Sequence, residues 1–321
     1  MTQPPLVAIA CQGGGSHAAF TAGALHALFG PHHAERFTLR GLSGTSGGAV
    51  CASLAWAGLL TGGFADARRR LEAFWTQVAA SDPIERVVND WSLAFARLPV
   101  TAQVSPYAYC ALAEPRLRDL LGEHLRLDAL PAGRAGPALR IAAANVLTGE
   151  AGIFHGEDLT LDDVVASAAV PPIFRAVRTR GGLWWDGMFS QNPPLRDLLD
   201  LDPKPRELWV IRLNPRRRAS EPTTVAEIDD RRNEMAGNVP LDQEIDMIRR
   251  FNRLRLTSPE VAQRYAAITV REIELDLQLD YQSKLDRSPE LLERLRAHGA
   301  HRAAHFFEPQ SVTVHPDGRL A

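Results

Sequence analysis

The chain has 321 residues, 45% of them hydrophobic and 23% charged, with a formal net charge of −2. That balance is that of a soluble globular protein long enough for one large α/β domain or two ordinary ones. It lacks the strongly basic domain that nucleic-acid binding needs, so no nucleic-acid partner is expected. Three cysteines, Cys11, Cys51 and Cys110, cannot all pair and lie among small or apolar residues. They read as reduced core thiols, and no Cys/His cluster has the spacing of a metal site. No metal and no cofactor are expected. The N-terminus has no basic region and only a short apolar run at residues 6–10, unlike a secretory signal. The other long apolar run, residues 47–60, is too short and too rich in Gly and Ala to span a bilayer. A cytoplasmic protein is the expectation.

Residues 6–11 form an apolar run that stops at Gly13-Gly14-Gly15, which predicts a buried strand entering a tight loop. Residues 16–29 predict a helix stopped by Gly30-Pro31. A second strand over 37–42, a turn over 43–48 and a helix over 47–60 repeat the pattern. Strand, Gly-rich turn and helix in succession are the grammar of a parallel sheet with crossover helices. Amphipathic helices are expected between residues 64 and 130, for example over 67–78, which carries Leu71, Phe74, Trp75 and Val78 on one stripe, and residues 139–146 and 208–213 add apolar strands. After Pro215 the composition turns charged and helical, with Pro240 expected to interrupt it, then a strand over 268–277 and a helix over 289–307. The expected organisation is a core over 1–214 and a mainly helical extension with one strand over 215–321, joined in one globule.

Three sites carry chemistry. Gly44-Thr45-Ser46-Gly47-Gly48 matches G-x-S-x-G between a predicted strand and a predicted helix. In that setting the serine sits on a sharp turn with an exposed hydroxyl, backed by helix N-terminal amides. Gln12-Gly13-Gly14-Gly15-Ser16-His17 can turn successive N–H groups toward an anion or oxyanion. The same residues, with Ala18, match the dinucleotide fingerprint G-x-G-x-x-A, but the acidic residue it needs at the end of the next strand is missing. Glu35 falls before that strand. Asp186-Gly187 follows Gly182-Leu183-Trp184-Trp185 and is followed by Ser190-Gln191-Asn192-Pro193-Pro194, a rigid loop before the next helix.

In this order the motifs resemble those of patatin-like phospholipases: a Gly-rich oxyanion loop after the first strand, a G-x-S-x-G elbow and a late Asp-Gly. Residues 166–174, Ala-Ser-Ala-Ala-Val-Pro-Pro-Ile-Phe, are similar to the family's Ala-Ser-x-Ala-x-Pro-x-x-Phe segment. The resemblance covers residues 6–214. It departs from the pattern at His17 and Ala18, where a basic residue and glycine are usual, and at Met188, where glycine or alanine is.

The resemblance implies a three-layer α/β/α fold with a mainly parallel sheet. It also implies a serine acyl hydrolase cleaving ester bonds of acyl lipids, with Ser46 as nucleophile and Asp186 as proton acceptor. Gly13, Gly14, Gly15 and Gly47 would supply the oxyanion hole. A silent patatin-like scaffold that binds lipid or a partner is the alternative, and a Rossmann dinucleotide binder a weaker one. His17 reads as a local hydrogen-bonding or surface group rather than a base, and His155 as structural. Arg216-Arg217-Arg218 reads as a solvated turn, with peripheral contact to anionic lipid the other reading. Trp184-Trp185 fits core packing and an acyl channel equally.

Overall fold

The first apolar run becomes β1 (Leu6–Cys11), at the centre of one sheet. In the computed structural model, residues 3–96, 105–107, 113–171 and 173–308 are described. Cys110 and Pro172 lie outside them, as do residues 97–104 and 108–112 of the predicted amphipathic helical stretch.

The other strands are β2 (Thr38–Gly44), β3 (Ala138–Asn145), β4 (Ala151–His155), β5 (Val177–Thr179), β6 (Gly182–Asp186), β7 (Glu207–Arg212) and β8 (Thr269–Glu274). They run in the order β5-β6-β3-β2-β1-β7-β8, with β4 beside β3. The pairs β1–β2, β1–β7, β2–β3 and β7–β8 are parallel, and β3–β4, β3–β6 and β5–β6 antiparallel. Both faces of the middle of the parallel part are covered, which is why β1 and β7 read as nearly continuous apolar runs.

The helices are α1 (Ala18–Leu28), α2 (Gly47–Val78), α3 (Pro83–Ala96), α4 (Ala113–Leu125), α5 (Leu161–Ser167), α6 (Arg196–Leu199), α7 (Val225–Thr257), α8 (Pro259–Arg264) and α9 (Pro289–His305). Alternation along the strands assigns the two faces. Val7, Ile9, Cys11, Ile141, Trp209 and Ile211 join the core built with α1, α2, α4 and α9. Ala8, Ala10, Leu208 and Val210 face the other way, onto Leu195, Leu198 and, from α7, Leu241, Ile245 and Ile248. The result is a three-layer α/β/α fold. Residues beyond 214 contribute to all three layers: α7 on one face, β8 in the sheet and α9 packed along α1.

Residues 47–60 and 67–78 are helical, as predicted, and are joined in α2 across a kink where Gly62 and Gly63 leave helical angles. One predicted boundary differs from the structure. Pro240 does not interrupt its helix: α7 runs through it. Proline removes one backbone hydrogen bond and crowds the preceding turn. Here that turn is docked instead, because Gly237 O and Asn238 Oδ1 both accept from Gln12 Nε2, at 3.2 and 3.1 Å.

Helix α2 is long and apolar enough to cross a membrane by length and composition, yet 61% of its apolar window is buried inside the protein. Cys11 and Cys51 are free and buried, as the reading of core thiols requires, and burial pushes Cys51 up to about 12.

Gly122, exposed in mid α4, offers an independent check on the packing, since a Cβ there meets no atom within 4 Å. Gly122→Ala is expected to stabilise the protein by about 0.5–1 kcal/mol, read as a rise in the urea midpoint at unchanged m-value.

Candidate active site

Strand β3 brings the predicted serine and aspartate together. Its first half pairs with β2, Ile141 opposite Gly44, and its last residues pair on the same edge with β6, Ala143 opposite Asp186. The opposite edge of β3 is taken by β4 along both halves. Strand β6, antiparallel to β3, therefore ends close to where β2 stops, and its last residue, Asp186, lies beside the turn carrying Ser46.

Ser46 occupies that turn at φ 56°, ψ −131°, a left-handed backbone that a serine adopts only where its surroundings enforce it. Its N–H donates to Ser167 O (3.1 Å) and Ser167 Oγ (3.2 Å), and Ser167 Oγ donates to Ala142 O (2.7 Å). Thr45 N–H donates to Cys11 O (3.3 Å) and Thr45 Oγ1 to Gln191 O (2.7 Å). Helix α2 begins at Gly47, so its N-terminal amides and positive dipole end stand behind the serine.

The glycine loop interlocks with this elbow. A Cβ on Gly13 would lie 2.9 Å from Ser46 Cβ and 2.7 Å from Thr45 O, so only glycine lets the two loops touch. Gly13 N–H is already engaged, donating to Asn192 Oδ1 at 2.7 Å. Among the described residues, the N–H groups of Gly14, Gly15 and Gly47 donate to no atom of the chain. Gln12 anchors the loop from below, its Oε1 accepting from the N–H groups of Leu213 (2.8 Å) and Asn214 (2.9 Å).

Asp186 is fully buried. Its N–H donates to Ala169 O (3.0 Å), and its Oδ1 accepts from Met188 N–H (2.8 Å). Residues 167 and 169 of the Ala-Ser-Ala-Ala segment thus hold the backbones of Ser46 and Asp186 respectively. Oδ2 has no hydrogen-bond partner within normal reach. Burial raises the carboxyl from 3.8 to about 7; opposing this, the Ser46 hydroxyl is the strongest influence favouring ionisation, ahead of Met188 N–H and Lys284. Ser46 favours the ionised carboxylate, yet Oδ2 is left without a full hydrogen bond, as resting sites often are before substrate tightens them.

His17 is buried, not at the surface, and its Nε2 pairs with Ser283 Oγ at 2.7 Å. Burial, helped by the Lys284 charge, pushes it down to about 3, so it stays neutral. His155 is exposed on β4, on the far edge of β3 from Ser46. Glu35 is exposed in a single turn ahead of β2, away from the strand end where a ribose contact would be required. Arg216 and Arg218 are committed to carboxylates of the chain, Arg216 to Asp242 (2.9 Å) and Glu272 (3.0 Å) and Arg218 to Glu234 (2.7 Å). Trp184 packs edge-on against Phe154 and donates from Nε1 to Thr179 O (3.0 Å), a packing role. Trp185 is half-buried, with Nε1 unbonded.

Sequence reasoning missed the fastening roles of Gln12, Ser167 and Asn192, and missed Lys284 altogether. The first three sit inside quoted motifs, but their partners lie 25 to 226 positions away in the chain. Lys284 carries a usable signal in its rarity, as one of two lysines among 36 basic residues.

An α/β sheet with a serine on a strained strand-to-helix turn, beside a buried carboxylate and a glycine loop with free amides, defines a class of protein. Residues 9–199 match the model of patatin-like phospholipases, and the chain belongs to that family. No curated protein matches the chain. Among solved structures it is similar to VipD from Legionella pneumophila, at 14% identity and TM-score 0.44, over 95% of this chain and 67% of that one. It is also similar to the type III effector ExoU, at 14% identity and TM-score 0.40, over 95% of this chain and 53% of that one. A complex of ExoU with SpcU from Pseudomonas aeruginosa matches at 14% identity and TM-score 0.35, over 94% of this chain and 53% of that one. The chain spans about half the length of ExoU.

Proposed function

We propose that the protein is a serine acyl hydrolase that cleaves carboxylic ester bonds of acyl lipids through a Ser46–Asp186 dyad. One observation carries the reading. The serine on the strained turn lies beside a buried carboxylate whose Oδ2 has no hydrogen-bond partner and whose pKa is raised to about 7. A carboxylate near its ordinary pKa is a weak base, and burial brings this one close to the optimum for proton transfer at neutral pH.

In the first half-reaction Asp186 takes the hydroxyl proton as Ser46 Oγ bonds to the ester carbonyl carbon. The negative charge moves to the carbonyl oxygen, within reach of the N–H groups of Gly14, Gly15 and Gly47. Gly13 seats Ser46 rather than donating, since its own N–H is held by Asn192. The C–O bond to the alcohol then breaks, the alcohol leaves with the proton from Asp186, and the acyl-enzyme remains. In the second half-reaction water gives a proton to Asp186 and its oxygen attacks the acyl carbon. The bond to Ser46 breaks, Oγ recovers the proton and the fatty acid departs. Each well-placed oxyanion donor is worth about 3 kcal/mol of transition-state stabilisation.

The test is covalent labelling by a fluorophosphonate, which reports an activated serine whatever ester is preferred. Wild type is expected to label at a rate that rises with pH through about 7, as Asp186 ionises, and Ser46→Ala is expected not to label. Absence of labelling in folded wild-type protein would reject the hydrolase reading in favour of a silent lipid- or partner-binding scaffold.

A further inference from the structure

A segment far outside the family match reaches the glycine loop. The match ends at residue 199, whereas a short 3-10 turn over Gln282–Leu285 packs on Gly15. A Cβ on Gly15 would lie 2.3 Å from Lys284 O, and Gly15 is at φ +55°. One residue earlier, Ser283 Oγ holds His17. The Lys284 side chain turns inward, its Nζ donating to Asn214 Oδ1 at 2.9 Å and lying 5.1 Å from the centre of the Tyr281 ring. Asn214 in turn donates its N–H to Gln12, so one chain of contacts runs from the ammonium to the residue preceding Gly13.

Composition makes this residue unusual. Of 36 basic residues only two are lysines, Lys204 and Lys284. Nearly everywhere this chain needs a cation it uses arginine, whose charge is permanent, and at this one enclosed position it uses a cation that can titrate.

The charges facing Lys284 identify its counterpart. From α7 come Asp230 and Glu234; from the loop before the turn, Asp280 and Tyr281; from the glycine loop, His17, which is neutral; and from the end of β6, Asp186. Glu234 is bound by Arg218 (2.7 Å) and Arg231 (3.0 Å). Asp230 accepts the Tyr281 N–H and lies 3.9 Å from Arg218. Asp186 has no arginine against it, and Lys284 is the cation whose field reaches it among the described residues.

We propose that Lys284 is a positioning residue of this site: its ammonium favours the ionised, proton-accepting form of Asp186, and its backbone seats the glycine loop. The proposal rests on the dyad reading for its functional meaning, but the electrostatic link can be measured without turnover. Asp186 titrates near 7 and Lys284, pushed down by burial, near 8. Below about pH 8 the ammonium is charged and opposes protonation of Asp186. Above that the help fades, where Asp186 has already ionised.

The experiment is a carboxyl carbon-13 titration of aspartate-labelled protein, with the Asp186 signal assigned by its absence in Asp186→Asn. Wild type is expected to show a main inflection near pH 7 and a smaller one near pH 8 as Lys284 loses its proton. Lys284→Met is expected to move the main inflection to higher pH, by less than the shift of about one unit or more that a charge in direct contact produces. The same variant should erase the second inflection, while Lys284→Arg keeps the main one in place. An unmoved inflection in folded Lys284→Met overturns the proposal. If that variant does not fold, a wild-type curve with a single inflection does the same. Fluorophosphonate labelling across the same pH range separates the two readings. A shift in the carbon titration of a protein that never labels would keep the role of Lys284 and reject the hydrolase.

Discussion

Asp186→Asn is expected to lower kcat/KM on an acyl ester by roughly 10⁴-fold while making the protein more stable. The first effect follows from removing the base: asparagine can still accept the Met188 N–H, but it cannot take a proton from Ser46, and a general base contributes up to about 10⁴. Combining it with Ser46→Ala should cost no more than either change alone, because the two residues act as a unit. The second effect follows from burial. Asp186 titrates near 3.8 when exposed and near 7 in the fold. Between those values the native state holds a proton that the unfolded chain has released, so this group's contribution to stability falls as pH rises from about 4 to about 7. Above 7 the loss is constant, roughly three units at about 1.4 kcal/mol each, on the order of 4 kcal/mol. Asparagine has no such dependence, although its amide group at the Oδ2 position returns part of the gain. The stability difference between variant and wild type, from urea unfolding, should therefore widen between pH 4.5 and pH 7.5 and level off above. Parallel pH dependences for the two proteins would mean that Asp186 titrates like an exposed carboxylate, and the proposed base would lose its physical basis.

The central sheet was legible because its strands are buried on both faces. Leu6–Cys11 and Glu207–Arg212 present short apolar runs that end in turn residues, and such runs have few other uses. The β4, β5 and β6 strands were not identified as strands. Val177–Thr179 is three residues long, and Ala151–His155 is mostly exposed or half-buried with no clean alternation. Strands β4 and β6 depend on the edges of β3, and β5 on the edge of β6, which local sequence does not encode. Pro240 misled for a related reason: a proline costs a helix one backbone bond, but whether neighbouring contacts offset it is decided by Gln12, 228 positions away.

Ser46 and Asp186 were legible because each needs a turn with its own signature. What places them side by side is the register of β3, which pairs with β2 and then β6 along one edge, and no short motif records a register. The fastening hydrogen bonds were hidden because Ser167, Asn192 and Gln12 look like ordinary loop residues until their partners arrive. Lys284 was hidden behind the fading of the family pattern, although its rarity marks it. A chain that uses arginine for its ion pairs, the buried Arg212 included, and keeps one lysine enclosed against the glycine loop has placed there the cation whose charge burial can tune.

The elbow also sets the second large expectation, that Gly48→Ala destabilises the protein by about 3 kcal/mol or more and costs activity in the molecules that still fold. A Cβ built on Gly48 lies 2.2 Å from Cys11 O and 2.6 Å from Gln12 O, both backbone atoms at the end of the central strand. Neither can swing aside as a side chain would. Cys11 O accepts from Thr45 N–H and Gln12 N–H donates to Ile211 O, so a shift there loosens the elbow and the β7 contact together. The strand end must move away from α2, or the start of α2 must unwind. Either change carries Ser46 away from Asp186, and a displacement of about 1 Å costs roughly 10²-fold in rate. Urea unfolding measures the first effect, and fluorophosphonate labelling, scaled to the folded fraction, measures the second. Gly122→Ala serves as the control, the same added methyl group with open space around it. If Gly48→Ala matched Gly122→Ala in stability and labelled at the wild-type rate, the close contact between elbow and strand would not be what holds Ser46 in place.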